Sequence, residues 1–152
     1  MPFLSVLLNL LWIVFGGLHM ALAWLIAAAI MAITIIGLPW CFAAVRLARY
    51  TLLPFGQTVI SREEAEGPGA GGGPLGVLGN LIWLVLAGWW LALAHLGTAA
   101  LLAITIVGLP FAWAHLKLAG LALWPIDRVV VTLDEAERLR RGSGGGLVVG
   151  SR

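Results

Sequence analysis

The sequence predicts an all-α integral membrane protein: two tandem transmembrane helical hairpins (four crossings), kinked at Gly-Leu-Pro, with short cytoplasmic β-prone segments. Three observations lead there. Of 152 residues, 61% are hydrophobic and 11% charged, whereas an ordinary soluble domain carries about 25% charged residues. No Asp, Glu, Lys or Arg occurs in residues 3–45 or 74–116. Shifting the chain by 71 positions superposes 9–60 on 80–131 without a gap, with close to half of the pairs identical. So few charges cannot cover a water-facing surface, and the mean hydropathy of +1.03 agrees. This excludes a soluble globular enzyme, a nucleic-acid-binding domain and a disordered tail as the class of the whole chain.

Each charge-free block is 43 residues long. One crossing needs about 20 apolar residues at a rise of about 1.5 Å each, so a block suits two helices joined by a tight turn. Glycine marks the expected turns at Phe15-Gly16-Gly17-Leu18-His19 and Leu86-Ala87-Gly88-Trp89-Trp90. The competing arrangement is one long tilted helix per block, followed by an interfacial helix after the Gly-Leu-Pro break. Charge distribution favours the hairpins. Arg46, Arg49, Arg62 and the acidic cluster Glu63, Glu64 and Glu66 follow the first block, while Lys117, Arg128 and the charges of 134–141 follow the second. With two passes per block, all of them and both termini fall on one face, which the positive-inside rule makes cytoplasmic. The N-terminus lacks the basic n-region of a secretory signal, so the first apolar block is read as retained.

In order, residues 3–60 form the first membrane repeat, 61–79 a Gly/Pro-rich cytoplasmic linker, and 80–133 the second repeat. Residues 134–152 read as a charged, then Gly-rich tail, largely disordered, with one or two helical turns in 134–141. After Pro54 and Pro125 come short β-prone runs, Gln57-Thr58-Val59-Ile60 and Arg128-Val129-Val130-Val131-Thr132, expected to pair as two strands.

Polar residues inside the blocks are the candidate functional positions. Asn9 and Asn80 are expected to hydrogen-bond across helices as a pseudo-symmetric pair joining the halves. Thr34, Gly37 and Pro39, with their copies Thr105, Gly108 and Pro110, mark paired helix breaks. A proline there removes a helical donor and clashes with the carbonyl four residues back. Such breaks shape packing or line a transport pathway built from discontinuous helices. His19 and His95 are expected near the outer turns and His115 at the cytoplasmic boundary, all as wet, interfacial side chains. The eight tryptophans, among them Trp12, Trp24, Trp83, Trp89, Trp90 and Trp124, read as interface anchors. Cys41, alone, reads as a buried thiol that packs like a small hydrophobe.

At the repeat motifs the chain resembles the YccF-type inner membrane component family. The resemblance rests on Asn80 to Trp83, Gly88-Trp89-Trp90-Leu91, His95, Ile106-Val107-Gly108-Leu109-Pro110, Lys117-Leu118-Ala119 and Leu123-Trp124-Pro125. The first repeat agrees through Trp24-Leu25, Gly37-Leu38-Pro39 and Leu53-Pro54-Phe55-Gly56. Asp127 departs from it, standing where Gly56 keeps the expected glycine. The resemblance implies a small multi-pass protein of the bacterial inner (plasma) membrane and supplies no catalytic residues. All carboxylates lie outside the apolar blocks and no catalytic constellation is present, so no enzyme, cofactor or metal is expected. The expected role is a structural or accessory component, embedded in the lipid bilayer and homo-oligomeric or bound to a membrane-protein partner, with no nucleic acid. The alternative is a small channel or transporter with its pathway near the paired breaks.

Overall fold

A computed structural model describes residues 2–70 and 72–145. Each repeat is a long helix, a turn and a shorter helix. In the first, α1 (Pro2–Trp12) continues through a π-helical segment (Ile13–Gly17) into α2 (Leu18–Ile33), and α3 (Leu38–Leu52) follows. Next come β1 (Gln57–Ser61) and a short α4 (Arg62–Glu66). The second repeat has α5 (Gly73–Trp83), a π-helical segment (Leu84–Gly88), α6 (Trp89–Ala103), α7 (Leu109–Leu123) and β2 (Arg128–Thr132). Finally α8 spans Leu133–Gly145. Residues 3–33 and 73–103 are two helices of 31 residues, each long and apolar enough to cross a membrane.

The connectivity is that of the competing arrangement: each block is one long helix followed by a shorter helix after the Gly-Leu-Pro break, and the hairpins expected to reverse at Gly16–Gly17 and Gly88 are not formed. Of the glycine-containing segments expected to reverse the chain, the first is a kink, with non-helical Phe15 and Gly16 between α1 and α2, and the second is a π-helical segment between α5 and α6. A π-bulge absorbs an extra residue without ending the helix. Reversal occurs at residues 34–37 and 105–108, and α2 packs along α3 as α6 packs along α7. The proline kink is likewise absent. Pro39 and Pro110 sit in the first turn of α3 and α7, where the missing N–H is an orphan anyway, so they start a helix rather than break one.

The two strands pair antiparallel, with Val59 opposite Val130, its own repeat equivalent. That register places a pseudo-two-fold axis through the ladder. One face of the sheet, through Val59 and Val130, packs on the helical core. The other, through Ile60 and Val131, is covered by Ala136 and Leu139 of α8. About this axis α3 and α7 run in opposite senses: Phe55, just past the end of α3, contacts Phe111 at the start of α7 edge-on, while Trp40 at the start of α3 shares a cavity wall with Ile126 past the end of α7.

Two expected boundaries shift. The linker contracts because Ser61 accepts a hydrogen bond from the Glu64 N–H and starts α4, and because α5 already begins at Gly73. The tail is helical through Gly145, capped by Thr132 Oγ1 accepting from the Glu135 N–H at 3.2 Å. The disorder expected for the rest of the tail concerns 146–152, outside the described residues.

Candidate functional site: a buried tryptophan–histidine column

Because the chain reverses at 34–37 and 105–108, residues 12–24 and 83–95 lie in the middle of the molecule. Trp12, Trp24, Trp83, His95 and His115 are each 0% exposed. The wet interfacial placement of His95 and His115 and the interface anchoring of these three tryptophans are therefore corrected, a buried interior replacing the expected outer turn and cytoplasmic boundary, while His19 is exposed. Of the other tryptophans named, Trp89 and Trp124 are exposed and Trp90 half-buried.

Trp12 and Trp83 occupy equivalent positions and do the same work. The Trp12 indole N–H donates to the Thr51 carbonyl and the Trp83 indole N–H to the Ala122 carbonyl, each at 2.7 Å. Thr51 and Ala122 lie in the last turns of α3 and α7, whose carbonyls lack an intrahelical donor. Each indole thus satisfies a buried helix end that water cannot reach.

Between these two anchors runs a column of rings. Trp24 stacks on Trp83 at 5.3 Å between centroids, and His115 stacks on Trp12 at 4.4 Å. Trp24 Nε1 donates to His95 Nε2 at 3.1 Å, and His95 Nδ1 lies 3.0 Å from His115 Nδ1. Indole is a donor only, so His95 Nε2 must accept and the ring is neutral, with its proton on Nδ1. That proton points at His115 Nδ1, which leaves the second imidazole protonated on Nε2. His115 Nε2 is buried beside the Phe15 backbone without bonding geometry. Gly16 makes this approach possible: its φ is +130°, and a Cβ there would lie 2.7 Å from His115 Nε2. The third histidine reaches the edge of the same region, His19 Nε2 lying 3.4 Å from Thr98 Oγ1.

The residues singled out from sequence fall elsewhere. Asn9 and Asn80 do not join the halves. Asn9 donates through Nδ2 to the Phe55 carbonyl and accepts from the Phe55 N–H, both at 3.0 Å, and Asn80 Oδ1 accepts from the Ile126 N–H at 3.0 Å. Each asparagine ties the segment after its own hairpin back to its own repeat, because the chain leaving α3 or α7 has free peptide groups to satisfy. Thr34 and Thr105 close their own turns. Thr34 Oγ1 donates to the Met31 carbonyl at 2.8 Å and accepts from the Gly37 N–H; Thr105 Oγ1 does the same with Leu102 and Gly108. Gly37 and Gly108 are the N-caps of α3 and α7, with Pro39 and Pro110 two residues on. These turns project outward, Ile35 being 77% and Ile106 87% exposed.

Sequence reasoning missed the column. The available signal was its failure to repeat: His95 stands opposite Trp24, and His115 opposite Ala44. Among the described residues no group of three or more His, Cys, Asp or Glu side chains is placed to hold a metal ion.

A family model described as "Inner membrane component domain", YccF, matches residues 7–57 and again 78–128, the 71-residue offset of the internal repeat. The chain is 34% identical over 142 residues to the "Inner membrane protein YccF" of Escherichia coli (strain K12), covering 90% of this chain and 93% of that protein. The protein of the same name from Shigella flexneri matches to the same extent. No solved structure gives a significant match. Neither these names nor the outward-facing turns support the channel or transporter reading.

Proposed function

The chain belongs to the YccF inner membrane component family, and from that premise we propose that it is a non-catalytic structural or accessory component of the membrane that assembles with itself or with a membrane-protein partner. The observation that carries this reading is how the interior polar groups are used. The indoles and imidazoles bond one element to another, and the threonine hydroxyls close their own turns. Most of these polar groups hold the bundle together, while Thr51 Oγ1, Asn80 Nδ2 and His115 Nε2 are buried without a hydrogen bond.

In this reading each hairpin enters and returns, so the chain passes four times and both termini lie in the cytoplasm. Its support is the distribution of charge along the chain, which leaves both turns uncharged. The charges lie on the C-terminal halves of α3 and α7, the strands, α4, α8 and their connections, while the turns at 34–37 and 105–108 carry exposed Ile35, Ile36, Ile106 and Val107. Exposed apolar side chains on α1 and α5, among them Phe3, Leu7, Leu10, Leu75 and Leu81, offer surface to lipid or to a partner helix. A Cys41→Ser background with single cysteines at Gln57 or Ile106 tests the topology. Labelling of position 57 from the cytoplasm and of 106 from the periplasm is expected; the same sidedness for both rejects four passes. Particle mass in nanodiscs tests assembly, and a lone chain that retains no partner after gentle extraction rejects it.

A further inference from the structure

Between the sheet and the C-terminal halves of α3 and α7 lie two open grooves that are equivalents under the internal repeat. The first, about 400 Å³, lies between Arg46, Arg49 and Tyr50 of α3 and the Gln57 and Val129 edges of the strands. The second, about 270 Å³, lies between Lys117, Gly120 and Leu121 of α7 and the Arg128 and Thr58 edges. Position by position, Arg46 corresponds to Lys117, Arg49 to Gly120 and Gln57 to Arg128. The cation lost from the helix at Gly120 is regained on the strand at Arg128, so each groove keeps two positive charges although only one pair of positions shares its charge. Neither groove is lined by an acid. Arg46 and Arg128 also border neighbouring cavities that contain Asp127, yet the ion pairs among the described residues are Arg140 with Glu64 and Arg141 with Glu137.

We propose that each groove binds the phosphate of one anionic phospholipid, giving two lipid sites per chain. Two cations without counter-ions make a phosphate site. The remaining walls decide for a lipid over a soluble anion. Leu52 and Leu53 line the first groove, Leu121 and Trp124 the second. Leu53, Leu123 and Trp124 continue each groove onto exposed apolar helix surface, where an acyl chain would lie. Trp124 and Tyr50 also have the amphipathic rings suited to headgroup depth. The proposal rests on the membrane embedding of the chain and on the sheet lying at headgroup level, not on which side is cytoplasmic or on the assembly state.

Native mass spectrometry of the full, delipidated chain titrated with phosphatidylglycerol tests it. Wild type is expected to hold two lipids. Arg46→Gln with Arg49→Gln should hold one, as should Lys117→Gln with Arg128→Gln, the vacated site weakening about thirtyfold for two lost cations. Arg46→Lys with Arg49→Lys, which keeps the charge, should hold two, and so should Arg138→Gln with Arg141→Gln on α8. Unchanged lipid number in both groove variants overturns the proposal. Equal retention of phosphatidylcholine overturns the charge argument, and displacement by an equal concentration of inorganic phosphate reassigns the grooves to a soluble anion. Lipid number is read per chain, so these outcomes stay distinguishable from failure of the topology or assembly tests.

Discussion

Gly16 adopts φ +130° at a kink between α1 and α2, and only glycine visits that region without strain. Its repeat equivalent is Ala87, in a π segment with no such φ, so the distortion belongs to the first repeat alone and serves the approach of His115. Gly16→Ala is expected to cost about 2–4 kcal/mol through the forbidden φ and the overlap with the imidazole, seen as a lower melting temperature in detergent. Ala87→Gly should cost no more than about 1 kcal/mol. The Trp24–His95 hydrogen bond gives a second expectation. In a cycle of Trp24→Phe, His95→Leu and the double variant, the coupling energy should be about 0.6–1.7 kcal/mol, the range of buried interhelical bonds in membranes. Zero coupling would mean that the column is held by stacking alone.

At the scale of elements, the repeats carry matched exceptions. After α3 the chain turns through Gly56 at φ +96°, and after α7 through Asp127 at φ +80°. Asp tolerates the left-handed region better than most residues, which explains the departure from glycine without a change of turn. The side chain gained by Asp127 is accommodated on the facing helix. The Asp127 carboxylate lies against Gly72 and Gly76 at the start of α5, while Gly56 faces Ser5 of α1, the equivalent of Gly76. The carboxylate also sits at a helix N-terminus, where negative charge is favoured. Gly56→Asp is therefore expected to destabilise by about 1–3 kcal/mol through overpacking, and adding Ser5→Gly should recover a measurable part. An additive double variant would refute this exchange of bulk. At the helix turns, Thr34→Val or Thr105→Val should each cost about 0.5–2 kcal/mol, the range for losing a capping hydroxyl, measured as a drop in melting temperature.

Across the whole molecule, the two repeats meet through the ring column, the strand pair and the crossed contacts of Trp12 with His115 and Trp24 with Trp83. Among the described residues between α4 and α5, Gly67 and Gly69 face open space, and Gly72 lies against Asp127. Co-expressed halves divided at Gly69 should therefore co-purify as one particle. Val59→Asp, which places a charge on the sheet face packed against the helices, should abolish that co-purification. Halves that never associate would show that covalent linkage, not the interface, holds the repeats together.

Composition, charge-free blocks and internal repetition were sufficient to read a membrane-embedded helical protein, its duplication and the two β-prone runs that pair. Those features follow from local and periodic properties: hydrophobic length, glycine and proline signals, and β-branched residues in series. The place of reversal was not legible, because a glycine in an apolar run is compatible with a turn, a kink or a π-bulge. The decision lay in which alternative let Trp12 and Trp83 reach the free carbonyls of α3 and α7, contacts 39 residues apart in sequence. Moving the turn moved Trp12, Trp24, Trp83 and His95 from the expected edge to the centre. Buried imidazoles then had to find partners, since a polar group in an apolar interior is costly unless bonded. Only the tertiary structure could supply those partners: Trp24 of the opposite repeat for His95, and His95 of the same repeat for His115.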